Sequence, residues 1–170
     1  MQVEHATRER WFESPEAWRF VALRFVPVLA ALNLAWEIAQ LPGYTIWTNG
    51  SSRFIAFAIA HCTAGDVLIG SWTLAIALVA TRAGPLSAWR IARIGTIATA
   101  LAAGYTVYSE WLNVEIRRSW AYSELMPRLP VTGTGLTPLA QWIVLPGLAL
   151  AVAMKWHGSA ARERDDGSTR

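Results

Sequence analysis

The stretch PLAQWIVLPGLALAVAM, residues 138–154, carries no charged side chain anywhere along its length. Such a run suits hydrocarbon rather than water, because about 20 predominantly apolar residues in a helix cross a bilayer core of roughly 30 Å. A second uncharged run, IGTIATALAAG, occupies 94–104. Across the chain 54% of residues are hydrophobic and only 16% charged, against roughly 25% charged in an ordinary soluble domain. The expected fold class is therefore an all-α membrane protein, a four-transmembrane-helix bundle with both termini cytoplasmic. Its spans are placed at about 20–41, 54–81, 91–112 and 138–156, in a single membrane domain over 1–157. The polar stretch 158–170 reads as a disordered cytoplasmic tail.

Local signals mark the span ends. Ser14, Pro15 and Glu16 read as an N-cap, a proline at the first helical position and an acid in the first turn. Thr137 reads as the cap of the last helix, and Gly84-Pro85 separates the second span from the third. Eleven basic residues fall on one side: Arg8, Arg10, Arg19, Arg24, Arg82, Arg90, Arg93, Lys155, Arg162, Arg164 and Arg170. The other side holds four, Arg53, Arg117, Arg118 and Arg128, which predicts that both termini are cytoplasmic. Trp18, Trp89 and Trp156 inside and Trp47, Trp120 and Trp142 outside would form aromatic belts. The net charge of +3 belongs to this orientation signal, so nucleic acid is not an expected partner. The acids Glu4, Glu9, Glu13 and Glu16 speak against a cleavable signal, and a single Cys62 against a disulfide-dependent fold.

The polar residues inside the spans are the informative exceptions. In NLAWEIAQLPGYTIW, residues 33–47, Asn33, Glu37 and Gln40 are spaced i, i+4, i+7 and share one helical stripe. Glu37 would lie about one turn, roughly 6 Å, below the outer end of its helix. Thr106, Glu110 and Asn113 repeat the spacing on the third helix, flanked by Tyr105 and Tyr108. On the second helix His61 lies about two turns deep, with Asp66 roughly 7.5 Å deeper and about 140° around the helix. Glu37, His61, Asp66, Tyr105, Tyr108, Glu110, Asn113 and Gln141 are expected to meet in the outer half of the bundle, since ionisable groups in lipid are expensive and face inward. Alternatively Glu37 and Glu110 reach the outer headgroups, and His61 is a hydrogen-bonded core histidine. Between Val67 and Ala80, Ile94 and Gly104, and Ile143 and Met154 no ionisable residue occurs. The cytoplasmic half should therefore be sealed, with Arg24 snorkelling from it, and a conduction path is disfavoured.

The outer loop 111–137 mixes Trp111, Trp120 and Tyr122 with Arg117, Arg118 and Arg128. With the free N–H groups of the fourth helix it offers a place for a phosphate or carboxylate head group; an interfacial loop with an aromatic belt is the other reading. Chemically, Glu37, His61, Asp66 and Glu110 are the candidate catalytic groups for acid–base work. Asn33, Gln40, Tyr105, Tyr108, Asn113, Trp120, Tyr122, Arg117, Arg118 and Gln141 are candidate substrate contacts. Glu37, His61, Asp66 and Glu110 would also be the ligands of any metal, although no HExxH, HxxxH or CxxC spacing occurs. Ser109 has no GxSxG context that would make it a nucleophile.

The runs NLAWEIAQLPGYTIW, AHCTAGDVLIG and YTVYSEWLNVEIRRSWAYSELMPRLPVTGTGLTPLAQW, over about 33–147, resemble a group of small bacterial integral membrane proteins, a likeness that implies no activity. A local similarity to membrane carotenoid enzymes of the cyclase and hydratase types rests on Glu110, Trp120, Tyr122, Pro138 and Trp142. The cyclase type has paired acids after its proline, where this chain has Leu139, Ala140 and Gln141. Three functions stay open: an enzyme doing acid–base chemistry on an isoprenoid or other membrane lipid, with Glu37 and Glu110 as acid and base and His61 and Asp66 tuning them; a metal or proton binding or transport protein; and a noncatalytic subunit with a membrane-protein or homo-oligomeric partner.

Overall fold

The structure, a computed structural model, describes residues 9–168, with side chains described through Gly158. Arg8, Glu4 and Arg170 lie outside the described residues, and the side chains of Arg162 and Arg164 are likewise not described. Four long helices dominate. Helix α1 runs from Pro15–Phe20 through a π turn at Val21–Phe25 into Val26–Gln40. Helix α2 is Ser52–Ala80, α3 is Ile91–Glu110 with a π turn Trp111–Ile116 beyond it, and α4 is Leu136–Ser168. Pro15–Gly43, Ser52–Ala80 and Leu136–Gly158 are long and apolar enough to cross a membrane, at 29, 29 and 23 residues. Helix α3 is diluted by Arg93, two glycines, several hydroxyls, two tyrosines and Glu110. It nevertheless packs along both α2 and α4, while α1 packs on α2 and closes against α4, in the order of an up-down bundle.

Each helix end has a local cause. Ser14 Oγ accepts from the Ala17 N–H at 3.4 Å and Pro15 stands at the first helical position, as the sequence predicts. The π turn in α1 immediately precedes Pro27; the Val26 N–H reaches back to the Val21 carbonyl, and the wider turn relieves the clash of a proline ring with the carbonyl four residues earlier. Pro42-Gly43 ends α1 in a 3-10 turn. Thr137 does not cap α4: the helix starts at Leu136, and the Thr137 hydroxyl donates to Met126 Sδ at 3.2 Å. Helix α4 also continues to Ser168, past the Gly158 limit read from the sequence. The alanines, arginines and glutamate of 160–164 are good helix formers and extend a helix already nucleated by the span.

Packing divides the bundle in two. At the end bearing the chain termini, Phe20, Phe25, Leu29, Leu74, Leu78, Ile94 and Leu150 form a continuous apolar core. The Trp11 N–H donates to the Ala83 carbonyl at 3.1 Å, and Trp89 Nε1 to the Gly84 carbonyl at 3.1 Å. Phe20 packs edge-on to Trp89, with His157 on another side and 3.3 Å from Glu16 to His157. Gly70 is required here, since a Cβ on it would stand 2.5 Å from Leu29 Cδ2. Arg24 lays its guanidinium over the Trp156 ring at 5.6 Å. Trp89 is buried in this core, so it is no belt residue, whereas Trp18 and Trp156 are half-exposed as a belt requires.

At the opposite, distal end the loop after α3 folds back over the helix tips. The Thr45 N–H donates to the Ala121 carbonyl at 3.0 Å, and the Ser123 N–H to the Gly43 carbonyl at 2.9 Å. Ser123 Oγ adds a bond to the Pro42 carbonyl at 2.7 Å. The approach is close enough that a Cβ at Gly43 would meet Met126 Cε at 2.6 Å.

Candidate functional site

Under that loop lies a cavity of about 710 Å³, walled by all four helices. Its polar hub is Gln141, which is 2% exposed and sits on the second turn of α4. Gln141 Nε2 donates to Asn33 Oδ1 at 2.8 Å and to Asp66 Oδ2 at 2.8 Å, and lies 3.4 Å from Glu37 Oε1. Gln40 Nε2 donates to Glu37 Oε1 at 2.7 Å and to Gln141 Oε1 at 3.3 Å. The carboxyls of Glu37 and Asp66 both lie within reach of one amide nitrogen. The stripe Asn33, Glu37, Gln40 thus faces protein, and one amide on α4 ties it to α2. Asn33 lies beneath the cavity floor, fully buried, and donates back to the Leu29 carbonyl.

Glu110 lines another part of the wall and is bound separately. The Tyr122 hydroxyl donates to Glu110 Oε2 and accepts the Gly135 N–H at 2.9 Å. Burial pushes the Tyr122 phenol above the usual tyrosine range, and the bond to Glu110 adds to that. Tyr44 packs against Tyr122 with ring centroids 5.6 Å apart, and its phenol is also raised, first by burial and then by nearby Glu110. The Trp120 indole N–H is buried beside Glu110 but completes no hydrogen bond.

Several expected residues take other places. His61 borders the cavity, but its ring lies flat on Phe57 with centroids 5.6 Å apart and faces outward. No hydrogen bond joins it to an acid among the described residues, so it does not tune Glu37 or Asp66 as anticipated; its offset around the helix from Asp66 turns it away. Tyr108 is exposed against Trp111, off the cavity, while Tyr105 stands at its rim. Asn113 reaches the wall but spends its amide on the Ser109 carbonyl at 2.9 Å. Arg117 and Arg118 are exposed and outside the lining; Arg118 has a φ of 53°. Arg128 covers the Tyr122 ring at 5.0 Å. The anion site expected from these arginines and the start of α4 is therefore not formed. The Leu136 N–H is already donated to the Pro127 carbonyl, and no Lys or Arg lines the cavity.

Sequence reasoning missed Tyr44 and Cys62 in the wall and misassigned Trp142, which is 3% exposed and forms the back of the cavity rather than a belt. Its position next to Gln141 in sequence was the available signal. The exposed lining residues are Phe54, Phe57 and His61 on α2, Tyr105 on α3, and Asn49 and Ser119 in the distal connections, so the cavity opens between α2 and α3 near the distal end. Among the described residues no three His, Cys, Asp or Glu side chains lie together so as to hold a metal ion. Fold and site together define a helical protein with three membrane-capable helices and a carboxyl-bearing cavity open between α2 and α3. Comparison with family models, with curated proteins and with solved structures finds no match for this chain.

Proposed function

We propose that the chain is a four-span protein of the bacterial inner membrane, with α3 as the fourth crossing and both termini cytoplasmic. In this reading the cavity takes the polar head of an isoprenoid or other membrane amphiphile, and Glu37 and Asp66 exchange a proton with it. The packing of α3 between α2 and α4 supports the crossing, because a helix paired along its length with two spans shares their depth. The excess of Lys and Arg at the terminal end supports the sidedness.

One observation carries the functional part: a single amide nitrogen, Gln141 Nε2, gathers Glu37, Asp66 and Asn33 at the wall of a cavity that opens between α2 and α3. Two carboxyls within reach of one amide can act as donor and acceptor in one proton transfer. The apolar core at the terminal end favours a one-sided site over a through-route. Mass spectrometry of lipids retained by the purified protein tests this. Wild type should hold a lipid species enriched over the bulk membrane, and Glu37→Gln should lose or alter it; identical, bulk-like lipid in both proteins would remove the basis of the reading.

A further inference from the structure

The Asp, Glu, Lys and Arg side chains that line the cavity are all acids. Glu37, Asp66 and Glu110 contribute carboxyl oxygens. Gln40, only 7% exposed and part of the wall, has an Oε1 with no partner. Its amide cannot simply be turned over to repair this, because Gln40 Nε2 already faces two acceptors, Glu37 Oε1 and Gln141 Oε1. A buried carbonyl left unpaired costs free energy that a donor from a guest would recover. Among the wall's donors, Gln141 serves three residues, Asn113 serves Ser109 and the Trp120 N–H lies against Glu110, while the Tyr44, Tyr105 and Ser119 hydroxyls bring no positive charge. No Lys or Arg lines the space, and its one imidazole, His61, faces outward. Around the polar end stand Tyr44, Trp120 and Trp142, whose ring faces attract a cation, while Phe54 and Phe57 line the way out.

We infer that the head group taken by this cavity is a protonated primary amine, carried on an apolar chain that leaves between α2 and α3. The inference rests on the amphiphile-binding reading and narrows it: an ammonium supplies N–H donors to Gln40 Oε1 and to Glu37 and Asp66, together with the positive charge the wall lacks. A phosphate or carboxylate head would meet three carboxyls and no counter-charge.

The sole cysteine, Cys62, lies in the cavity wall and reports occupancy. Full-length protein in lipid nanodiscs is treated with a maleimide in the presence of decylammonium, decyltrimethylammonium, decanol or decyl sulfate. Decylammonium should slow Cys62 labelling at about tenfold lower concentration than the other three, and Asp66→Asn or Gln40→Met should abolish that preference. Calorimetric titration of the same compounds gives the second readout should the thiol react too slowly. If all four protect equally, the amine inference falls while the amphiphile site survives. Preference for decyl sulfate overturns it as well, and equal protection by decyltrimethylammonium overturns the N–H donation. If no compound protects a reactive Cys62 and none binds by calorimetry, both the inference and the reading beneath it fail.

Discussion

Gln141 and Asp66 are joined across 2.8 Å, a bond that links α4 to α2 over the diagonal of the bundle, where neither helix is the other's packing neighbour. Because the same nitrogen also serves Asn33, the amide is a structural hub as well as part of the cavity wall. Gln141→Leu leaves the fully buried Asn33 Oδ1 unpaired, at about 1–3 kcal/mol, and takes a donor from half-buried Asp66. Thermal unfolding in mild detergent should show a clear fall in Tm, and Gln141→Glu, which replaces the donor by a further acceptor, should fall at least as far. Unchanged midpoints in both would show that the network contributes nothing to folding.

Tyr122 gives a pH-dependent version of the same experiment. Its phenol is held above the ordinary tyrosine range by burial and by Glu110. A phenol whose folded value exceeds its unfolded one stabilises the fold fully below the unfolded value of about 10, and that contribution is lost as pH rises beyond it. Wild type should therefore lose stability on going from about pH 8 to pH 11. Tyr122→Phe should start lower, having lost its bonds to Glu110 and Gly135, and should decline less over the same interval.

Close packing at the terminal end predicts a reciprocal pair. Gly70→Ala places a Cβ against the fully buried Leu29 and should destabilise by about 1–3 kcal/mol, as overpacking does. Leu29→Val in the Gly70→Ala background should recover part of the loss, although alone it is harmful. Additive effects of the two changes, read from unfolding midpoints, would contradict the contact.

Sidedness is open to direct measurement. In a Cys62→Ala background, Ser87→Cys in the turn between α2 and α3 should label only when the cytoplasmic face is exposed. Glu124→Cys in the exposed loop should label from outside in intact cells; the reverse pattern would invert the proposed topology.

The helical architecture and the polar stripe were legible because both are matters of spacing. An amide and a carboxylate four apart must share a helix face, and in lipid that face must turn inward, so Asn33, Glu37, Gln40, Asp66 and Gln141 could be brought together without coordinates. The fates of His61, Arg117 and Arg118 were not legible, since they depend on which way a loop or an exposed helix face turns. Trp142 was misread because an aromatic at a helix end looks the same in sequence whether it meets headgroups or closes a cavity. The division of Glu110 from the Glu37–Asp66 pair depends on Tyr122, which arrives through a loop whose path follows from backbone bonds to Gly43 and Thr45. Helix α4 outran its expected end because lipid-spanning patterns locate the span and not the helix that contains it.

The apolar foot formed by Phe20, Leu29, Leu78, Ile94 and Leu150 joins all four helices below the hollow half. Wall positions such as Phe57, Ile69 and Tyr105 lie outside that foot, so packing there constrains them less. On the proposed amphiphile-binding reading, altering those few side chains would exchange one guest for another with the scaffold unchanged.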